Sequence, residues 1–359
     1  MRIDLTGKQS LVTGSSQGIG LAIATGLARA GSAVVLTGRD AGRLDAAADR
    51  LRGDVEGARV VVVAGDVVSD EGTAALLAAV PDVDVLVNNL GIFGAQPALE
   101  ITDDEWRRYF ETNVLTAVRL TRAYLPGMKE RGWGRVQYIA SDSAVAVPAE
   151  MIHYGMSKTA LLAVARGFAK EAAGSGVTVN SVIAGPTHTG GVEDFVHSLV
   201  GDALPWDEAQ REFMRRHRPQ SLLQRLIEPE EIANMCVYLA SPLASATTGG
   251  ALRVDGGYVD AILPRCPQAV RAASQSANSV ATIRSSCTPA ASGDASQRIG
   301  AAMTAGSSRR SCSSGGKPSG IMPVAVAPPG SRTLTVTGLP ARSAAMIRDN
   351  ASAPARAGP

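Results

Sequence analysis

The sequence predicts an α/β protein built on a doubly wound, mostly parallel seven-stranded sheet, in a single domain followed by a long C-terminal tail. Three observations predict it. Short β-branched runs alternate with longer amphipathic stretches, the rhythm of repeated strand–helix–strand units. The short runs are nearly pure Val, Ile and Leu, as strands covered on both faces should be. Composition then breaks near Pro264, so the regular part ends there.

In chain order the strand candidates are Ser10–Val12, Ala33–Thr37, Arg59–Ala64, Val83–Val87, Gly134–Ala140, Val177–Ile183 and Ala251–Val254. Helical patterns fall between them at Gly18–Ala30, Ala41–Arg52, Asp70–Ala79, Thr102–Arg131, Tyr154–Ala173 and Pro229–Ala240. One connection breaks the rhythm. Residues 187–227 mix helical and polar character, and a connection that long is usually functional or disordered. It carries Val192, Phe195, Val196, Leu199, Val200, Phe213, Met214, Leu222 and Leu223. That pattern predicts a helical lid with an apolar underside, so the folded unit is 1–263 with a lid at 187–227.

All 14 aromatics of the 359 residues lie before Arg265. From Arg265 onward there are 11 Arg and Lys against two acids, Asp294 and Asp349. The tail is therefore +9, which leaves −7 for residues 1–264 of a chain whose total is +2. A segment rich in Ser, Ala, Gly and Pro, with no apolar periodicity, cannot offset its chain entropy by burial, so disorder is expected over 264–359. Its basic charge is sparse and has no aromatics to stack bases, which argues against nucleic acid as a partner. No apolar run approaches membrane-spanning length. One of four cysteines, Cys236, lies in the folded part, too few for a disulfide framework. No charged-then-apolar leader precedes the first strand, so the expected compartment is the cytoplasm.

Thr13-Gly14-Ser15-Ser16-Gln17-Gly18-Ile19-Gly20 follows the first strand and opens the first helix. Such a loop has the form of a Rossmann phosphate cradle. Gly14 permits the tight turn, Gly18 lets backbone approach a phosphate, and Gly20 allows the helix to pack on the sheet. The helix N-terminus offers free N–H groups to a pyrophosphate. The second strand ends in Gly38-Arg39-Asp40. Gly38 stands where NAD sites place an acid, and Arg39 suits a 2′-phosphate, so NADP is the favoured cofactor with NAD as the alternative. Asp40 is either a second ribose contact or the cap of the next helix.

Tyr154 and Lys158 are four residues apart, on one face of a helix. A free phenol has a pKa near ~10, and a nearby ammonium lowers it toward the range useful for acid–base chemistry. A Tyr-x-x-x-Lys alone is commonly structural; here it has company.

The chain resembles the short-chain dehydrogenase/reductase family over about residues 5–262. The motifs are Thr13–Gly20, Asp66-Val67 after the third strand, Asn88-Asn89-Leu90-Gly91 after the fourth, Asn113 in Glu111-Thr112-Asn113-Val114, Ser141, Tyr154-Gly155-Met156-Ser157-Lys158, Asn180–Pro186 and Val254-Asp255-Gly256-Gly257. The resemblance implies that Tyr154 exchanges a proton with the carbonyl or alcohol oxygen and that Ser141 holds that oxygen. It implies that Lys158 lowers the tyrosine pKa and binds the nicotinamide ribose, while Asn113 holds a water linking the lysine to solvent. Thr13, Gly14, Ser16, Gln17, Gly18, Ile19, Gly20, Arg39, Asn89 and Gly91 would contact the cofactor, as would Tyr154 and Lys158 at the reacting end, Asp66 and Val67 beside the adenine, and the Ile183 backbone and Thr187 at the carboxamide. The reaction implied is interconversion of a ketone or 3-oxo group and a secondary alcohol. The alternative is a non-catalytic dinucleotide-binding sensor or regulator, which could dispense with Ser, Tyr or Lys. A homo-oligomer, dimer or tetramer, is implied as well.

Three residues depart from the family pattern: Leu90 for Ala, Ala184 for Pro, and Gln17 for the basic residue many NADP-using members carry. His188, His197 and His217 have no ligand spacing, so no metal is expected. His153 points away from Tyr154 around the helix and is read as structural or pocket-rimming. Trp106, Tyr109 and Phe110 follow a helical stripe and are read as core or subunit interface. Asp142 is read as a solvated turn residue, with tuning of the site beside Ser141 as the alternative.

Overall fold

The computed structural model describes residues 3–261 except Asp202; the tail expected to be disordered lies outside the described residues. The seven strands are β1 (Gln9–Val12), β2 (Ala33–Gly38), β3 (Val60–Ala64), β4 (Val85–Asn88), β5 (Gly134–Ser141), β6 (Val177–Ala184) and β7 (Ala251–Val254). They form one sheet in the order β3-β2-β1-β4-β5-β6-β7, with every pairing parallel. The order reverses at β1, which places a crevice over the C-terminal ends of β1 and β4.

Parallel neighbours need crossover helices, and the amphipathic stretches supply them. They are α1 (Gly18–Arg29), α2 (Ala41–Asp54), α3 (Asp70–Ala79), α4 (Asp103–Phe110), α5 (Thr116–Glu130), α6 (Ile152–Glu171), α7 (Gly190–Val200), α8 (Trp206–His217) and α9 (Pro229–Ala240). Several start where a side chain caps the first turn: Ser69 accepts from Gly72 N–H, and Thr102 from Glu105 N–H. Ile23 and Leu27 of α1, Leu44 of α2 and Ile232 of α9 bury one sheet face. Leu76 of α3, Leu120 and Tyr124 of α5 and Leu161 of α6 bury the other.

The expectation of strands buried on both faces holds for the centre of the sheet and fails at its edges. β4, β5 and β6 are buried throughout, whereas the all-aliphatic edge strand β3 leaves Val61 47 % exposed and β7 alternates exposed and half-buried residues. The helix predicted over Thr102–Arg131 is three pieces: α4, a π-helical turn at Glu111–Leu115, then α5. An inserted π turn leaves the apolar periodicity almost intact, which hides it in the sequence.

The lid is two helices, α7 and α8, around a small core of its own formed by Val196, Ala209, Phe213, Met214 and Leu226. Leu222 and Leu223 do not join that underside. They lie beyond α8, 82 % and 50 % exposed, with their N–H groups donating to the Gly256 carbonyl.

Candidate active site

The glycine loop opens the crevice. Gly14 and Gly18 have positive φ, +61° and +56°, where a side chain would be strained. A Cβ on Gly20 would stand 2.4 Å from the Gly14 carbonyl oxygen and 2.6 Å from Asn89 Nδ2, so only glycine fits. Asn89 clamps the loop: its Nδ2 donates to the Thr13 and Gly14 carbonyls at 2.9 and 3.1 Å. Thr13 Oγ1 in turn accepts the N–H groups of Asn89 and Leu90, both at 2.9 Å. Gln17, the residue before α1, makes no side-chain cap, which leaves the first N–H groups of the helix facing the crevice.

Gly14, Gln17, Gly18, Ile19, Gly20, Asn89, Gly91, Ser141, Tyr154, Lys158 and Thr187 all line this one cleft. Most of the residues expected at the site therefore converge. Ser16, Arg39, Asp66, Val67 and Ile183 do not line it. Arg39 and Asp66 follow neighbouring strand ends, since Gly38 of β2 pairs with Ala64 of β3, and both are exposed. Ser16 lies beside Gly38, Val67 is buried, and Ile183 is buried in β6, paired between Ala140 and Arg253. Asp40 caps α2 through a hydrogen bond from Arg43 N–H, while Arg39 has no ion pair among the described residues. The first turn of α1, with its free N–H groups and a floor a Cβ would block, fits a dinucleotide pyrophosphate.

At the far end of the cleft stand Ser141, Tyr154 and Lys158. Lys158 is buried and its Nζ donates to the Ile139 carbonyl at 2.8 Å. Burial lowers its pKa to about 8. Its Nζ is 5.7 Å from the centre of the Tyr154 ring. The sequence predicts a tyrosine pulled down by that ammonium, and the protein does the reverse. Burial pushes the Tyr154 phenol up to about 12, and a hydrogen bond with Ser141 only partly offsets this. Desolvation is the largest influence on the phenol, ahead of the Ser141 contact that opposes it.

Asn113 sits in the π turn and does not line the cleft. Its side chain is spent on its neighbours: Oδ1 accepts Ile92 N–H at 2.8 Å, and Nδ2 donates to the Ile92 carbonyl at 3.0 Å and to Ser157 Oγ at 2.9 Å. Thr187 Oγ1 donates to the Gly185 carbonyl, and Thr187 bridges to Ile227 where the lid rejoins the sheet.

Two features were not legible beforehand. The first is an aromatic wall over the reacting end. Phe93 meets Tyr154 edge-on at 6.3 Å and Phe195 at 6.0 Å, and Phe195 meets Phe213 at 6.3 Å. Phe93 directly follows Gly91-Ile92, so its nearness to the Asn-Asn motif was the available signal. The second is Asp142, expected in solvent and found buried. Its Oδ1 accepts the Ser141 hydroxyl at 2.9 Å, and its Oδ2 faces Arg218 Nε at 3.5 Å. Burial raises its pKa, with Arg218 the strongest opposing influence. The lid residue that keeps it from solvent is distant in sequence. His153 does not line the cleft and is buried against Tyr109 with ring centres 4.0 Å apart, which favours the structural one of its two readings; Trp106 is half-buried beside it, while Phe110 stays 39 % exposed. Among the described residues no group of His, Cys, Asp and Glu is arranged to hold a metal, and no helix is long and apolar enough to cross a membrane.

A doubly wound sheet whose switch point joins a glycine cradle to a Ser–Tyr–Lys end defines an NAD(P)-dependent oxidoreductase. A family model described as Enoyl-(Acyl carrier protein) reductase matches residues 14–259. The Uncharacterized oxidoreductase YvaG of Bacillus subtilis (strain 168) is 47 % identical over 263 residues, which cover 73 % of this chain and all of that protein. The 3-oxoacyl-(acyl-carrier-protein) reductase FabG of Pseudomonas aeruginosa is 36 % identical over 260 residues, 71 % of this chain and 98 % of that one. The crystal structure of L-sorbose reductase from Gluconobacter frateurii, complexed with NADPH and L-sorbose, superposes with a TM-score of 0.68 at 35 % identity, covering 73 % of this chain and 100 % of that one. The chain belongs to the short-chain dehydrogenase/reductase family.

Proposed function

We propose that the protein interconverts a ketone and a secondary alcohol using NADP(H), with NAD(H) as the weaker alternative, and that Tyr154 is the acid–base residue. The observation that carries this reading is the convergence of Ser141, Tyr154 and Lys158 on the cleft that the α1 glycine loop opens. When bound, the reduced nicotinamide supplies a hydride to the carbonyl carbon. Tyr154 gives its phenolic proton to the carbonyl oxygen, and Ser141, which lines the same end of the cleft, holds that oxygen. Lys158 Nζ, 5.7 Å from the centre of the Tyr154 ring, is a cation beside the phenolate that results. Phe93, Phe195 and Phe213 exclude water from the reacting end. Asn113 is a positioning residue, holding the Ile92 segment against α6. Exposed Arg39, which has no ion pair among the described residues, supports the 2′-phosphate form of the cofactor, as does the NADPH in the L-sorbose reductase structure.

The same reading has the protein act as a homo-oligomer in the cytoplasm. The outer faces of α5 and α6 flank a groove lined by Arg122, Leu125, Lys129 and Phe168, an apolar strip rimmed by charge that suits a second copy. Light scattering of the purified chain gives the assembly directly.

The decisive test is NADPH oxidation in the presence of ethyl acetoacetate, diacetyl and a ketohexose. Turnover with at least one ketone is expected, with a loss of roughly 10²–10⁴-fold in Tyr154→Phe. Tight NADPH binding without turnover of any ketone, and no difference between Tyr154→Phe and the parent, would make the protein a dinucleotide sensor instead.

A further inference from the structure

Beyond the glycine loop, the cleft is lined by Phe93, Met151, Val192, Phe195 and Phe213. Phe93 follows β4, Met151 precedes α6, and the other three belong to the lid helices. The phenylalanines form a run that leads away from Tyr154. Phe93 meets Tyr154 at 6.3 Å and 60°, Phe195 meets Phe93 at 6.0 Å and 83°, and Phe213 meets Phe195 at 6.3 Å and 74°. Rings set edge to face present a negative face at one point and a positive edge at the next. A flat aryl group has the complementary face and edge. A polyhydroxylated chain against the same wall leaves hydroxyls without partners and loses their hydration.

Charge narrows the choice further. Among the described residues, three charged side chains line the cleft: Asp142, Lys158 and Arg218. Lys158 Nζ donates to the Ile139 carbonyl. Arg218 Nε faces Asp142 Oδ2 at 3.5 Å, and both residues are buried. Oδ1 accepts the Ser143 N–H at 2.7 Å and the Ser141 hydroxyl at 2.9 Å. These donors and the guanidinium favour the carboxylate against the burial that raises its pKa. Arg218 also lies 5.5 Å from the Phe213 ring centre, and its Nη1 donates to the His217 carbonyl at 2.7 Å. The cation at the far end of the aromatic run is thus already occupied. An anionic group arriving there would lose its water, find no uncompensated positive charge, and stand near a second carboxylate.

We propose that the substrate is an uncharged ketone with an aryl or similarly flat apolar group beside its carbonyl. Phe93, Phe195 and Phe213 receive that group, and Asp142 excludes anionic ketones by neutralising Arg218. The inference rests on the reading of this cleft as a ketone-reducing site.

Four compounds isolate the two features. Ethyl benzoylformate and benzoylformate share the aryl ketone and differ in charge. Ethyl benzoylformate and ethyl pyruvate are both neutral and differ in the aryl group. Fructose is the polyhydroxylated ketone. Saturation-transfer NMR of the full chain loaded with NADP+, which cannot reduce a ketone, reads binding, and NADPH oxidation reads turnover. Ethyl benzoylformate should bind at least about tenfold tighter than each of the other three, and kcat/KM should follow the same order. Phe195→Ala should cut the preference for ethyl benzoylformate over ethyl pyruvate by at least about fivefold, within the range of one lost aromatic contact and its buried area. Asp142→Asn should narrow the preference for the ester over benzoylformate by at least about tenfold, since it leaves Arg218 uncompensated. The Asp142→Asn/Arg218→Gln pair should restore that preference. If benzoylformate or fructose binds as well as the ester, or if Asp142→Asn leaves the preference intact, the proposal is wrong. Should Asp142→Asn fail to fold, the binding order in the parent decides. If the parent reduces no ketone, the functional reading fails, and the NMR binding order still decides what the cleft accepts.

Discussion

Asn113 Nδ2 donates to Ser157 Oγ at 2.9 Å, which ties the π turn between α4 and α5 to the helix that carries Tyr154 and Lys158. Ser157 passes the contact on, donating to the Tyr154 carbonyl at 2.7 Å. The same asparagine satisfies both backbone polar groups of Ile92. Asn113→Ala strands these part-buried groups and should cost about 1–3 kcal/mol, below the sum for two groups wholly cut off from water, at roughly 1–3 kcal/mol each. Activity should fall as well, by at least tenfold, because misplacement of reacting groups by about an ångström is costly. Thermal melts and kcat together check this. A variant with the parent melting temperature would show that water replaces the side chain without penalty.

Lys158 makes an opposite prediction, of function held against stability. Its ammonium is buried with the Ile139 carbonyl as its hydrogen-bond acceptor, and its pKa falls from 10.5 to about 8. The folded state therefore binds fewer protons than the unfolded state between about pH 8 and 10.5, so this group's destabilising effect is full below pH 8 and relieved as pH rises. Lys158→Met should be inactive yet more stable at pH 7 by about 1–3 kcal/mol, after allowing for the lost hydrogen bond. The gap should close as unfolding is measured toward pH 10. A destabilised Lys158→Met at pH 7 would refute the account.

The phenol sets the pH dependence of the two reaction directions. With Tyr154 pushed up to about 12, the proton needed for ketone reduction is in place throughout the neutral range. Reduction should not accelerate with rising pH on the tyrosine's account. Alcohol oxidation needs the phenolate, whose fraction grows about tenfold per pH unit below the pKa. The logarithm of the oxidation rate should therefore climb with pH across the neutral range. An early plateau would mean that the loaded cleft lowers the phenol far more than the protein's own charges do.

The sheet, its helices and the reacting set were readable because each leaves a local trace. β-branched runs, 3.6-residue periodicity and glycines at a strand end are set by nearest neighbours in sequence. Tyr154, Lys158 and Ser141 could be placed because their motifs lie at fixed distances from those traces. The state of the groups was not readable. The Tyr154 pKa follows from burial within the fold, and the partner that Asp142 meets there, Arg218, arrives from the lid. Leu222 and Leu223 fit a helical stripe on paper, but α8 ends at His217 and the chain turns to pair with Gly256. Such outcomes depend on contacts distant in sequence, which periodicity cannot report.

Cofactor choice offers a substitution that the geometry invites. Gly38 ends β2 without a positive φ, and a Cβ built there would meet only Leu44 at 3.5 Å and Ser16 Oγ at 3.7 Å, ordinary contact distances. Gly38→Asp should therefore fold normally. It places a carboxylate at the end of the second strand, where it can accept from ribose hydroxyls and would repel a 2′-phosphate. Beside it, Arg39 is exposed and has no ion pair among the described residues, because Asp40 is occupied with capping α2. Arg39→Ala should weaken NADPH by about tenfold while leaving NADH nearly unchanged, as expected for losing one charge-assisted contact of about 1.5 kcal/mol. Combined with Gly38→Asp, it should invert the preference, read as the ratio of kcat/KM for the two cofactors. If Arg39→Ala alters both cofactors equally, the arginine is a solvated surface residue and discrimination lies elsewhere in the loop.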